Sequence, residues 1–299
     1  MEPRYPSPRT LLDRYGLRAK KSWGQNFLAD EVVLDHIARL AVRAPGERVV
    51  ELGAGLGHLT ARLVSRGARV LAVERDRDMA RVLRGELGDR VQLAEADAAR
   101  LNLLAIARGG VADPAAAAEA AVAARGSDRS PGEPEKIAIA GNLPYHLTSP
   151  ILFSILDQVA AVTRAVLLLQ REVAERLAAP PGSRDWGLLS VLLQREAEVG
   201  VERIVPPGAF VPPPRVESAV LLVEIRPPAE AVADKARFRR LVKAGFAQRR
   251  KTLRNALEAA RIAPPGALER ALATAGVDPG RRGETLTVAE WAAVDRALG

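Results

Sequence analysis

At 299 residues, with 48% apolar and 27% charged side chains, the chain can bury a substantial core and has the balance of a soluble globular protein. No run approaches the roughly 18 apolar residues of a membrane span, MEPRYPSPRTLLDRYG lacks a secretory pattern, and zero cysteines exclude disulfides and thiolate metal sites. His36, His58 and His146 lie far apart, so no metal site is expected; the net charge of +8, mostly from arginine, points to a nucleic-acid partner and, with the cysteine count, to the cytoplasm.

In chain order, residues 1–30 are basic and punctuated by Gly and Pro, ending in RAKKSWGQNFLAD. EVVLDHIARLAV has helical spacing with Asp30 as N-cap. RVVELGAGLGHLTARLVSRG reads as a strand, a glycine turn and a helix stopping at Gly67. RVLAVERD is a second strand, followed by a helix from about Asp78 to Leu87. VQLAEADA, KIAIAGN and TRAVLLLQ are three more strands, and the alternation predicts an α/β fold with a parallel sheet covered on both faces. The Ala-rich, then Gly/Ser/Pro-rich stretch from 105 to 135 reads as an insertion. After the fifth strand come two short helical stretches, a strand ending VERIV, the proline-rich VPPGAFVPPPRVES and a long last strand. ARFRRLVKAGFAQRRKTLRNALEAAR, APPGALERALATAG and TVAEWAAVDRAL are helical, so the boundary is expected near 226–234, giving domains 1–228 and 229–299.

Gly53, Gly55 and Gly57 end the first strand as G-x-G-x-G, shorter than a dinucleotide fingerprint and suited to a cofactor without pyrophosphate. A tight strand-to-helix turn without a ligand is the plainer alternative for the glycines. Glu74, ending the next strand, can accept both ribose hydroxyls, and Asp97 after the third can accept from an exocyclic amine. Three strand ends offering nucleoside-sized contacts point to S-adenosylmethionine and methyl transfer. Asn142, Leu143, Pro144 and Tyr145 end the fourth strand: an amide oxygen, a carbonyl aimed by a rigid proline ring, and an aromatic face. That set suits an amine on a planar base such as adenine N6, with alignment and fixed dipoles in place of a general base.

KKSWGQNFL, VVELGAGLGHLT, AVERD, EADA, GNLPYHLTSPIL, LLLQREVAERLAAPPGSRDWGLLSVLLQ, VPPGAFVPPPRVESAV, FAQRRKTLRNAL and RGETLTVAEW occur in this order between about residues 20 and 291. This series resembles the bacterial ribosomal RNA adenine N6-dimethyltransferases of the small-subunit, kasugamycin-sensitivity type. The resemblance implies a Rossmann-like class I methyltransferase sheet with a small all-helical C-terminal domain. It implies four methyl transfers, two onto each of two adjacent adenosines near the 3′ end of small-subunit rRNA, by a monomer working in ribosome biogenesis. Gln25, Asn26 and Leu28 then match the segment covering the cofactor, Gly53 and Gly55 its glycine turn, Glu74 the ribose acceptor and Asp97 the residue near its adenine. Asn142 matches both a cofactor contact and the target-amine acceptor, with Leu143 adding its carbonyl, while Tyr145 and Phe210 match aromatics that sandwich the target base. Ala54 stands where the family usually has proline, and the 105–135 insertion departs from its pattern.

Lys20, Lys21, Arg249, Arg250, Lys251 and Arg254 suit phosphates, and a continuous helix through FAQRRKTLRNAL would put Arg250 and Arg254 on one face. A solvated helix face is the plainer alternative for that run. Three other functions fit less well: the related macrolide-resistance methylation of large-subunit rRNA, a nucleic-acid-binding relative without catalysis, and a nicotinamide oxidoreductase.

Overall fold

The computed structural model describes residues 5–20, 23–109, 135–228, 230–232, 234–248, 250–264 and 266–299. In chain order the elements are α1 (Pro8–Tyr15), β1 (Phe27–Leu28), α2 (Glu31–Ala41), β2 (Arg48–Leu52), α3 (His58–Ser65), β3 (Arg69–Val73), α4 (Arg77–Leu87) and β4 (Gln92–Ala94). Next are α5 (Leu103–Ala107), β5 (Ile137–Asn142), α6 (Thr148–Asp157), β6 (Val162–Gln170), α7 (Arg171–Ala178), α8 (Leu188–Glu196), β7 (Ala197–Val205), β8 (Phe210–Val211) and β9 (Ser218–Ile225). The last helices are α9 (Lys235–Ala247), α10 (Leu253–Ala259), α11 (Ala267–Thr274) and α12 (Val288–Ala297). Of the expected insertion, the first residues close α5, and 110–134 lie outside the described residues. Among the described residues no helix is long and apolar enough to cross a membrane.

Met1–Arg171 with Gly200–Ile225 form one compact unit. Its seven-stranded sheet has the order β4-β3-β2-β5-β6-β9-β7. β4 through β6 pair in parallel, as the alternation of strands and helices predicts, but β6 and β9 run antiparallel in a long register from Arg164↔Glu224 to Gln170↔Ser218. The sheet is therefore mixed. A parallel neighbour needs a crossover, usually helical, and β9 is entered from the proline-rich loop instead. Residues 49–52 of β2, 137–141 of β5 and 164–169 of β6 are buried without interruption, so helices cover both faces of the sheet centre. On one face Val33, Leu34 and Ile37 of α2 and Leu59 and Leu63 of α3 pack on Val49, Val70, Ala138 and Val166. Asp30 caps α2, its Oδ1 accepting from Val33 N at 3.1 Å.

Glu172–Val199 with Arg226–Gly299 form the second unit. This division differs from the chain-order boundary expected at 228/229, because α8 and the loop before it pack with the C-terminal helices. Trp186 is fully buried and its Nε1 donates to Leu286 O at 3.1 Å, an anchor for that loop. Thr287 and Glu290 form a capping box at the start of α12. The basic run is not one helix. α9 stops at Ala247, Gln248 leaves helical geometry, and Thr252 starts α10 by accepting from Asn255 N at 3.4 Å. Arg250 and Lys251 thus lie in a turn and Arg254 in α10, so Arg250 and Arg254 do not share a helix face.

Candidate functional site

The carboxyl ends of β2, β3, β4 and β5 meet around a cleft of about 290 Å³ in the first unit. This is where an open α/β sheet places its ligands. Gly53 and Gly55 take φ of 73° and 56°, which side-chain-bearing residues rarely adopt. A Cβ on Gly53 would sit 3.7 Å from Asn142 O and 3.9 Å from Pro144 Cδ, filling the space between the glycine turn and the β5 end. Gly141 is a second close approach: a Cβ there would lie 2.6 Å from Leu52 O. β5 reaches the turn only because that position lacks a side chain.

Glu74 is nearly buried, with Oε2 accepting from Gly55 N at 2.8 Å and Oε1 from Asp76 N at 2.7 Å. Burial raises its pKa, against the pull of those two N–H groups. Each oxygen keeps a further lone pair, so the carboxylate is oriented and still able to accept from a diol. Asp97 caps the short turn after β4 through Ala99 N, at 3.0 Å, and the Arg75 guanidinium stands 3.9 Å away. Neighbouring Glu51, on β2, is 2% exposed with Oε2 lacking a hydrogen-bond partner. Burial pushes its carboxyl up to about 8, Thr60 draws it down, and the charge of Glu74 raises it.

Residues 23–26 form the outer wall. Gln25 bridges two elements, its Oε1 accepting from Lys20 N and its Nε2 donating to Asp76 Oδ2, both at 2.8 Å. The Lys20 ammonium contacts Asp76 and Asp78, each at 2.8 Å. Burial would raise the Asp76 carboxyl, but Lys20, Asp78 N–H and Gln25 together hold it below its ordinary range. Lys20, expected to meet a phosphate, is thus engaged by two carboxylates. Trp23 completes this wall, with the Lys20 and Arg75 cations each 5.4 Å from its ring.

At the other end, Asn142 Nδ2 donates to Asn26 O at 2.9 Å, which leaves Oδ1 as the accepting end of the amide. Leu143 is buried, its N–H donating to Leu168 O at 3.2 Å, while Pro144 O accepts from Leu147 N at 2.9 Å to start a turn. Tyr145 bonds Ser218 Oγ at 2.9 Å, and Ser218 is fully buried, so the ring is held from below by β9. Burial raises the phenol's pKa, with Ser218 opposing, so the ring stays neutral through the physiological range.

Of the sequence-predicted residues, Gln25, Asn26, Gly53, Gly55, Glu74, Asp97, Asn142, Leu143, Pro144 and Tyr145 line this one cleft. Leu28 and Phe210 do not. Their strands β1 and β8 pair antiparallel with Leu28 opposite Phe210, and both side chains point into the core at 4% and 3% exposure. The expected aromatic sandwich of Tyr145 with Phe210 is therefore absent from this arrangement, and Phe27 lines the cleft in place of Leu28. Lys21 and Arg249 lie outside the described residues. Trp23, Arg75, Asp76 and Ser218 are contributors that motif reading missed; Asp76 and Ser218 act through partners 56 and 73 residues away in the chain.

Comparison with known proteins gives a consistent result. The family model described as ribosomal RNA adenine dimethylase matches residues 16–298. A ribosomal RNA small subunit methyltransferase A of Anaeromyxobacter dehalogenans is 73% identical over 100% of both chains. One of Myxococcus xanthus is 49% identical over 98% of this chain and 95% of its own. Among solved structures, the 23S rRNA methyltransferase ErmE is similar with a TM-score of 0.64 and 25% identity, covering 91% of this chain and 99% of that one. A dimethyladenosine transferase from Plasmodium falciparum shares the fold at a TM-score of 0.66 and 19% identity, over 90% and 95% of the two chains.

Proposed function

This chain belongs to the ribosomal RNA adenine dimethylase family, and we propose that it methylates N6 of two adjacent adenosines near the 3′ end of small-subunit rRNA, using S-adenosylmethionine. The observation that carries this reading is the pairing, in one cleft, of an oriented diol acceptor, Glu74, with a neutral amide acceptor, Asn142. The residues present fit the cofactor: Glu74 has lone pairs for a ribose, Asp97 for an adenine amine, and the bare Gly53 opens the cradle between them and β5. Bound S-adenosylmethionine supplies an electrophilic methyl group on a sulfonium.

The residues of this chain then align the amine. Asn142 Oδ1 and the Leu143 carbonyl accept its two hydrogens and draw them out of the ring plane, which returns the nitrogen lone pair from the aromatic system. Tyr145, held by Ser218, offers a face for the base. No side chain takes the proton in the transfer step; water accepts it afterwards. A base must leave its stack to reach this cleft, so extrusion selects the target. Arg250, Lys251 and Arg254, with Lys21 and Arg249 by sequence, supply phosphate contacts that position RNA without reading it. Replacing Arg250, Lys251 and Arg254 with alanine is expected to weaken rRNA binding and flatten its dependence on salt, measured by filter binding across a salt series.

The enzyme works as a cytoplasmic monomer on the small subunit or its precursor. Large-subunit methylation is the second reading, favoured by likeness to ErmE alone, and the full-length relatives at 73% and 49% identity carry small-subunit names. The deciding experiment is transfer from labelled S-adenosylmethionine to small subunits lacking the modification, with the product nucleoside identified by mass. Dimethyladenosine at two adjacent 3′ positions supports the proposal; transfer to large-subunit rRNA alone, or RNA binding without transfer, refutes it.

A further inference from the structure

Three tryptophans occur in the chain, and two of them, Trp186 and Trp291, are fully buried in the second unit. Trp23 is different: it sits on the wall of the cleft with 40% of its surface exposed. It is held there by charge. The Lys20 ammonium and the Arg75 guanidinium each lie 5.4 Å from its ring centroid. Lys20 is in turn fixed by Asp76 and Asp78, and Gln25 ties the same segment to Asp76. An indole exposed at a cleft rim, yet braced by a buried carboxylate two residues beyond Glu74, is a preorganised stacking surface.

Its position says which ring it meets. Arg75 comes directly after Glu74 at the end of β3, and its guanidinium stands 3.9 Å from Asp97 beyond β4. Asn142 and Tyr145 end β5, on the other side of β2 in the sheet order. Trp23 and Arg75 therefore belong to the Glu74–Asp97 end and not to the amide end. We propose that Trp23, backed by Arg75, stacks over the adenine of the cofactor as a fixed lid and is a specificity-determining residue for adenosyl ligands. The inference rests on the assignment of this cleft to S-adenosylmethionine. The lid shields the hydrogen bonds of Asp97 and Glu74 from water and adds affinity through the flat face of the base, which neither carboxylate contacts.

S-adenosylhomocysteine titrated into the whole chain tests it, by calorimetry and tryptophan emission together. Trp23→Ala is expected to weaken binding about tenfold, as loss of one base–aromatic stack does, while Trp23→Phe stays within about threefold. Saturating ligand should quench the emission of the wild type, and the quench should vanish in Trp23→Phe although calorimetry still shows binding. Trp23 is exposed, so both variants should melt with the wild type. Glu74→Ala serves as the control for the cleft itself. Loss of binding in Glu74→Ala with unchanged affinity in Trp23→Ala overturns the lid and leaves the cofactor site standing. Weakened rRNA binding with unchanged S-adenosylhomocysteine affinity in Trp23→Ala also overturns it, assigning the indole to RNA. No binding by the wild type overturns the cofactor assignment and the lid together.

Discussion

The two ends of the cleft are built from different chemistry. At the β3–β4 end the groups are ionic: Glu74, Asp97, Arg75, and the Lys20–Asp76 pair behind them. At the β5 end they are neutral: an amide, a carbonyl, a proline ring and a phenol bonded to a serine. The ionic end can be specific for a diol and an amine because hydrogen bonds to charged groups are strong and directional. On the proposed function the other end receives an amine beside a cationic sulfonium, and a full negative charge there would stabilise the ground state as much as the transition state. Neutral acceptors, fixed in place, act mainly as the amine becomes positive.

That contrast breaks down if substitutions at the two ends have the same effect. Asn142→Ala is expected to lower the transfer rate about 100- to 1,000-fold, the loss seen when one preorganised transition-state contact is removed. Its affinity for S-adenosylhomocysteine should change only a few-fold. Glu74→Gln should do the reverse, raising the dissociation constant by about 10- to 100-fold through loss of charge-assisted bonds, with the rate at saturating cofactor largely retained. Rate and affinity falling together in both variants would dissolve the distinction. Ser218→Ala leaves the Tyr145 hydroxyl without its partner and should cost a few-fold in turnover with no change in cofactor affinity, measured by the same two assays.

The last test leaves the chemistry and moves beneath the cleft. Glu51 lies under the glycine turn, and burial raises its carboxyl from an ordinary 4.5 to about 8. Between these values the folded chain holds a proton that the unfolded chain has released. Its contribution therefore makes stability fall as pH rises from 4.5 to 8 and then level off. Glu51→Gln mimics the protonated acid, so it should leave the melting temperature near pH 5 almost unchanged and raise it at pH 8. Parallel melting profiles for wild type and variant across that range would show that Glu51 is ionised throughout.

Much of the cleft was legible in the sequence because its parts are short-range. G-x-G-x-G, Glu74 and Asn142-Leu143-Pro144-Tyr145 each end a strand whose apolar run announces it, and parallel strands bring their ends to one side. The braces were not legible. Asn26 meets Asn142 across 116 residues and Lys20 meets Asp76 across 56, and neither pairing leaves a local periodicity. The buried fate of Phe210 has the same origin, since it comes from a two-residue ribbon whose register is set by distant partners. The helix break at Thr252 was legible but outvoted: a capping threonine sat within a run of good helix formers, and Arg and Lys have higher helix propensity than Thr. Trp186 misled in another way, because chain order assigned its loop to the first domain while its indole bonds Leu286.

The ribbon of β1 with β8 sets an order of events during protein synthesis. The segment that walls the cleft is made first, yet it is clamped by residues 210 and 211, made after two-thirds of the chain. Ala29 and Asp30 likewise donate to the carbonyl of Ala209. Closing so long a loop costs chain entropy before its contacts repay it, and a nascent chain that stops before β8 holds the outer wall only through Asp76, Asp78 and Asn142. The ribosome that makes this protein thus adds the last clamp of the cleft after the other contacts of its outer wall have been made.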